Sequence, residues 1–183
     1  MNDANNALMG TKLSNHLGHE YVLSDHLGQN ISSRTGNTTV LTFMFTNCTD
    51  VCPIVTSKIK KALKNVKEPS KIDVHIISVD PNRDSMNSRI SYINKWELPD
   101  NWVYLSGEES DLKLIWDVYF VNPQKGETGN NQQSIKSLFQ ERYQVIHTSP
   151  VYIIDRSGIP RVVHTSPISS EALARDINTV NNR

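Results

Sequence analysis

Two short and almost continuous apolar runs stand out along the chain. Residues 40–45 read V-L-T-F-M-F, and residues 72–79 read I-D-V-H-I-I-S-V. Runs of this length, rich in β-branched and aromatic side chains, are typical of strands buried on both faces of a parallel or mixed sheet. These two runs therefore predict the centre of a sheet.

Four other stretches carry apolar residues at the spacing of an amphipathic helix. The first opens at Pro53, which suits a first helical turn because its missing N–H would have no partner there, and it ends before Pro69. Ser85 and Ser169 stand where N-caps are expected for the second and fourth helices. The predicted helices are 53–68, 85–95, 108–120 and a terminal helix that follows residue 169.

The remaining regular segments are short. Alternating and β-branched patterns bounded by turn residues predict strands in the other apolar stretches. These are two strands around a turn within 21–32, single strands at 102–105 and 143–146, and a hairpin of 151–155 and 160–165 joined by the turn 156–158.

The order of these elements predicts one α/β domain over residues 16–183, with a central mixed sheet flanked by helices and an N-terminal β-hairpin extension. Residues 1–15 are polar and Asn-rich, and we interpret them as a flexible lead-in. Residues 121–135 contain Pro, Gly, Asn and Gln with few apolar side chains, so they predict a surface insertion. Residues 137–142 are compatible with one helical turn.

Composition narrows the functional classes. The chain has 183 residues, 37% of them hydrophobic, with 19 basic and 19 acidic residues and therefore no formal net charge. This balance does not suggest a nucleic-acid partner, and no segment approaches the roughly 18 consecutive apolar residues of a membrane helix. The first residues lack the features of a secretory signal. If the protein works outside the cytoplasm, we expect its anchor to lie outside this sequence.

Cys48 and Cys52 are the only cysteines, and both fall between the first predicted strand and the first predicted helix. Unpaired backbone N–H groups and the helix dipole at such a junction favour anions, including a thiolate. Two cysteines so close in sequence are too few to staple a fold. They indicate redox or metal chemistry, although a structural disulfide or two buried thiols would also fit.

Three segments together resemble the Sco/SenC family within the thioredoxin fold. They read F-T-N-C-T-D-V-C-P at 45–53, I-S-V-D-P-N-R-D at 77–84 and Y-Q-V-I-H-T-S-P-V-Y-I-I-D-R-S-G at 143–158. The resemblance covers about 20–180 in the expected order. Thr49 stands where the family often has proline, which should matter little because Asp50 and the spacing are kept.

The resemblance implies an extracytoplasmic, membrane-anchored protein that binds copper, as Cu(I) or Cu(II), and helps to assemble the binuclear copper site of cytochrome c oxidase. The matching metal ligands here are Cys48, Cys52 and His147. The implied partner is the copper-site subunit of the oxidase or another copper-carrying protein. The implied location is the periplasm or the outer face of the cytoplasmic membrane. The same two sulfurs can close a disulfide, so we expect copper binding by the reduced protein only.

Two other functions remain open. The first is a thiol–disulfide oxidoreductase that uses the Cys48–Cys52 dithiol to reduce the oxidase copper site or another extracytoplasmic protein. Dithiol exchange needs no third ligand, so a His147→Ala substitution would separate this function from copper binding. The second, a thiol peroxidase, is weaker because the chain lacks the proline- and threonine-bearing loop of such enzymes.

Several other residues carry alternative interpretations. Pro150 precedes a predicted strand where the thioredoxin superfamily places a cis proline, so a cis bond is a hypothesis here that would favour thiol redox chemistry. Asp80 follows a buried strand, where sites gather, but a strand-ending turn is the simpler interpretation. The remaining histidines are interpreted as solvated loop residues (His16, His19 and His26) or structural ones (His75 and His164).

Overall fold

The two apolar runs form the central strands of a six-stranded mixed sheet. The fully buried β4 (Thr38–Met44) pairs in parallel with β5 (Ile72–Ser78), and β5 pairs in parallel with β6 (Trp102–Leu105). On its other side β4 pairs antiparallel with β9 (Val151–Ile154), which continues into β10 (Pro160–His164) as the predicted hairpin. The predicted mixed α/β sheet is confirmed. The structure is a computed structural model, and it describes residues 7–15, 18–127 and 143–182.

Four helices cover the two faces of this sheet, and their bounds are Val51–Leu63 (α1), Met86–Lys95 (α2), Glu109–Val118 (α3) and Ser170–Asn181 (α4). Alternate residues of β4 point to opposite cores: Val40 packs with α1, α2 and α4, whereas Phe43 packs with α3. Burying one such side chain contributes about 1.5–3 kcal/mol. Both predicted serine N-caps are confirmed, because Ser85 and Ser169 accept hydrogen bonds from the first turns of α2 and α4.

The predicted N-terminal hairpin is confirmed as β2 (Val22–Ser24) paired with β3 (Asn30–Ser32). It is tied to the sheet by a 2.8 Å hydrogen bond between the Tyr21 hydroxyl and Nδ1 of His75. Burial lowers the pKa of His75 to about 4, so its ring is neutral at physiological pH. The structural role that the sequence assigns to His75 is thereby supported.

Part of the predicted flexible lead-in is wrong. Thr11–Lys12 forms β1, which pairs antiparallel with β10 at the edge of the sheet. Just before it, the Asp176 carboxylate accepts hydrogen bonds from the N–H groups of Met9 and Gly10, and also bonds Nε2 of His164 at 2.9 Å. Sequence patterns miss these contacts because they join residues that lie far apart in the chain. Residues 1–6 of the lead-in lie outside the described residues.

The predicted insertion begins with regular structure. β7 (Gln124–Glu127) pairs antiparallel with β8 (Tyr143–Ile146) in a small separate sheet. Helix α3 stops before it because Phe120 adopts a left-handed φ of 53°, and the Val121 N–H bonds back to the Trp116 carbonyl, as in a Schellman cap. Residues 128–142, including the predicted turn at 137–142, lie outside the described residues.

The hypothesis of a cis bond before Pro150 is wrong. Within the described part of the chain the only cis peptide bond is Ser166–Pro167, so the Ser149–Pro150 bond is trans. Each helix in the described part of the chain is too short or too polar to span a membrane.

Candidate metal and dithiol site

The two cysteines lie at the junction between β4 and α1, as predicted. After β4 the chain makes a turn closed by a 3.2 Å hydrogen bond from the Cys48 N–H to the Phe45 carbonyl. Helix α1 then begins at Val51, two residues before Pro53, where the sequence pattern placed its start. Cys52 therefore lies in the first helical turn and is fully buried, whereas Cys48 precedes the helix and is partly exposed.

The two sulfurs are electrostatically unequal. The Cys52 N–H donates to Sγ of Cys48 at 3.3 Å, and the Cys52 thiol and the N–H groups of Asp50 and Val51 also face this sulfur. The Cys52 thiol and these N–H groups lower the pKa of Cys48 to about 5, although partial burial opposes the shift. The same contact with Cys48, together with burial, raises the pKa of Cys52. At neutral pH the pair is one exposed thiolate and one buried thiol.

A small polar cluster lies beneath Cys52. The Thr56 hydroxyl bonds the Cys52 carbonyl at 2.9 Å and the Tyr92 hydroxyl at 2.6 Å, and both hydroxyls lie 3.5 Å from the Met44 sulfur. Burial raises the pKa of Tyr92 further above its ordinary value, so this hydroxyl stays protonated. The cluster satisfies the hydrogen-bonding groups that are buried beneath Cys52.

His147 lies in the loop between β8 and β9, and its ring packs edge-on against Phe45 with centroids 5.8 Å apart. Its Nδ1 bonds the Thr148 carbonyl at 2.7 Å. Burial lowers the pKa of His147, so the ring is neutral at pH 7. Because Nδ1 carries the proton that the carbonyl accepts, Nε2 is the nitrogen with a lone pair for a metal.

Cys48 and His147 line the same cavity of about 430 Å³. Its other lining residues are Phe45, Asn47, Thr49, Asp50, Val51, Arg83, Val145 and Ser149. Two sulfurs and an imidazole form a donor set that suits Cu(I) and also accommodates Cu(II) or Zn(II). Over the described residues, however, no three His, Cys, Asp or Glu side chains are close enough to hold an ion. The structure places Cys48 and His147 on one cavity, whereas the buried Cys52 is not among its described lining residues, so the three predicted ligands are not assembled.

Sequence reasoning missed three residues of this cavity. Phe45 ends the predicted strand 40–45, Ser149 lies two residues before the predicted strand 151–155, and Arg83 belongs to the I-S-V-D-P-N-R-D segment. The Arg83 guanidinium lies 5.8 Å from the Phe45 ring centroid and forms an ion pair with the buried Asp80. Asp80 is not among the described lining residues, but it pairs with Arg83, which is.

The other histidines do not join the site. His19 and His26 are partly buried but are not among the described lining residues of the cavity. His164 bonds Asp176 in α4, in the structural role that the sequence predicts. His16 lies outside the described residues.

The sequence is similar to that of one known protein family. A family model described as SCO1/SenC matches residues 9–182. The SCO1 protein homolog of Bacillus subtilis is 29% identical over 163 residues, which cover 81% of this chain and 75% of the relative. The SCO2-like protein RP587 of Rickettsia prowazekii is 28% identical over 146 residues. That match covers 78% of this chain but 66% of the relative, just under two thirds of its length.

Solved structures give the same fold. A SCO1/SenC family lipoprotein of Bacillus anthracis has a TM-score of 0.77 and 26% identity, covering 95% of this chain and 99% of the other. ScoI of Bradyrhizobium japonicum, solved with copper bound, has a TM-score of 0.74 and 25% identity, covering 90% and 99%. BsSco, described as having a disulfide switch and as a member of a family of cytochrome c oxidase assembly proteins, has a TM-score of 0.70. At 21% identity over 95% of this chain and 98% of BsSco, that likeness concerns the fold alone.

Proposed function

The chain belongs to the SCO1/SenC family, and from this premise we propose that it binds one copper ion through Cys48, Cys52 and His147. The observation that carries the proposal is that Cys48 and His147 line one cavity, and that the N–H of the buried Cys52 contacts Sγ of Cys48. The thiolate of Cys48 and the lone pair on Nε2 of His147 are ready to bind a soft cation. Cys52 has to lose its proton to complete the set.

The proposed ion is cargo. Three protein ligands leave copper open to a further ligand from another molecule, which suits transfer. We propose that the recipient is the copper-site subunit of cytochrome c oxidase or another copper-carrying protein.

We further propose that this exchange takes place outside the cytoplasm, at the membrane surface. The Bacillus anthracis relative is a lipoprotein, which supports an anchored form. Cell fractionation, combined with protease added to spheroplasts that lack an outer barrier, tests this part. Protection of the domain from the protease in intact spheroplasts would contradict it.

An anaerobic copper titration tests the metal site. The fully reduced protein should bind about one equivalent of Cu(I) tightly, and the protein with the Cys48–Cys52 disulfide should bind none tightly. Cys48→Ser and Cys52→Ser should lose the tight site, and His147→Ala should weaken it. Serine is the matched replacement because it keeps the shape of the cysteine side chain but has a hard oxygen in place of the soft sulfur. Tight binding by the oxidised protein would contradict the proposal.

Thiol–disulfide exchange is the second candidate function, and the unequal thiols favour it. A partly exposed thiolate beside a buried thiol is the arrangement that lets Cys48 attack a partner disulfide and Cys52 resolve the product. His147→Ala separates the two functions. It should weaken copper binding and leave the rate of disulfide exchange largely unchanged. Equal loss of both would contradict a separate redox function.

A further inference from the structure

The carboxylate of Asp84 joins the cysteine turn to the central sheet. Asp84 follows β5 in the turn that begins at Asp80, and only 2% of its surface is exposed. Its N–H bonds the Asp80 carbonyl at 2.9 Å, which fixes the position of the side chain. A buried carboxylate requires several hydrogen bonds. The two oxygens of Asp84 receive theirs from different parts of the fold.

One oxygen of Asp84 holds the turn that leads to Cys48. Oδ1 accepts hydrogen bonds from both the N–H and the hydroxyl of Thr46, at 2.8 and 2.7 Å. Thr46 lies within the turn that the Cys48 N–H closes on the Phe45 carbonyl. The two bonds therefore fix the backbone two residues before the reactive sulfur.

The other oxygen holds the sheet. Oδ2 accepts hydrogen bonds from the Ser78 hydroxyl at the end of β5, at 2.6 Å, and from the Tyr104 hydroxyl on β6, at 3.2 Å. Both donors are buried in the sheet and cannot follow a moving loop. The carboxylate is therefore a bridge between a rigid support and the partly exposed segment that carries Cys48.

We propose that Asp84, acting through Thr46, is the positioning residue that holds Sγ of Cys48 against the first turn of α1. By holding Cys48 there, Asp84 sets the effective concentration of the two cysteines, which determines how readily they form a disulfide with each other. This inference deepens the proposed function, because the same two sulfurs are the proposed ligands. It concerns the geometry of the dithiol, however, and can be tested without copper.

The test is a redox equilibrium with glutathione. At neutral pH the Cys48 thiolate and the Cys52 thiol lose two electrons and one proton as their disulfide forms. One glutathione disulfide takes up these two electrons and two protons, one of them from the solvent, and becomes two glutathione molecules. The equilibrium constant gives the effective concentration of the two thiols. Thr46→Val removes one bond to Oδ1 but keeps the charge of Asp84, and it should lower the effective concentration by about three- to tenfold. Thr46→Ser keeps the hydroxyl and should restore the wild-type value.

Tyr104→Phe is the matched control because it removes one bond to the same carboxylate from the sheet side. It should lower the urea midpoint of unfolding but change the effective concentration less than twofold. Asp84→Asn should lower the effective concentration at least as much as Thr46→Val. A wild-type value in Thr46→Val, or an equal decrease in Tyr104→Phe, would overturn the positioning role. Neither result depends on copper binding, so the copper proposal stands or fails separately.

Discussion

The ring of His147 packs edge-on against the ring of Phe45, with centroids 5.8 Å apart and planes inclined by 70°. Phe45 follows β4 and begins the turn to Cys48, whereas His147 lies in the loop before β9. Because β4 and β9 are neighbouring strands, this contact joins the two segments that carry the proposed ligands. The position of the third ligand therefore depends on an aromatic residue with no metal-binding atom.

Replacing Phe45 with Leu should loosen His147 and weaken Cu(I) binding about two- to tenfold, because an aromatic pair is worth about 0.5–1.5 kcal/mol. Competition with a Cu(I) chelator measures the affinity. The double-mutant cycle with His147→Ala supplies the control, since Phe45→Leu should have no further effect once the imidazole is gone. Additive losses in the double mutant would argue against this contact as the cause.

The rate at which Cys48 reacts with iodoacetamide should follow a titration near pH 5. Below this pH the thiolate gains a proton and the rate falls; above it the rate reaches a plateau that already holds at pH 7. Cys52 should stay unmodified until the protein unfolds. Mass spectrometry of peptides separates the two sites. The contact with the Cys52 thiol contributes most to the lowered pKa of Cys48, so the midpoint of the Cys48 titration should move upward in Cys52→Ala. An unchanged midpoint would refute this contact as the cause.

Copper binding at pH 7.5 should release about one proton, and this proton comes from Cys52. The lowered pKa of Cys48 leaves it ionised, the lowered pKa of His147 leaves it neutral, and the raised pKa of Cys52 keeps its thiol protonated. Calorimetric titration in two buffers with different ionisation enthalpies counts the protons. Release of two would show that Cys48 is a thiol in the free protein.

Asp176→Asn should lower the free energy of unfolding by about 2–4 kcal/mol, because a buried carboxylate loses its charged bonds to the N-terminal segment and His164. Burial raises the pKa of Asp176, but its bonds to His164, Gly10 and Met9 outweigh this and lower it. Its stabilisation is therefore full at neutral pH and is lost as the pH falls below about 4.

Urea denaturation measures the loss, and trypsin cleavage after Lys12 should become faster in Asp176→Asn. Asp73→Asn is the matched control, since the side-chain hydrogen bonds that the structure describes for Asp73 all come from the Asn37 amide. Equal losses from the two substitutions would mean that the bonds of Asp176 to the N-terminal segment contribute little.

Local patterns along the chain predict the elements that depend on near neighbours. The apolar runs at 40–45 and 72–79 become β4 and β5 because such side chains are stable only between two packed layers. Ser85 and Ser169 cap helices because their hydroxyls reach N–H groups three residues away. The placement of Cys48 and Cys52 at a strand–helix junction follows from the same short-range rules.

Local patterns thus predict the order of the elements and the junction with its dithiol, and three motifs indicate the family. Packing in three dimensions places His147 on the cavity of Cys48, sets Phe45 against the imidazole ring, and brings Asp84 between the cysteine turn and the sheet. It also decided that the N-terminal segment is bound by Asp176 and that the bond before Pro150 is trans. These are contacts between residues far apart in the chain, and their geometry is set by packing across the whole sheet, which no local pattern encodes.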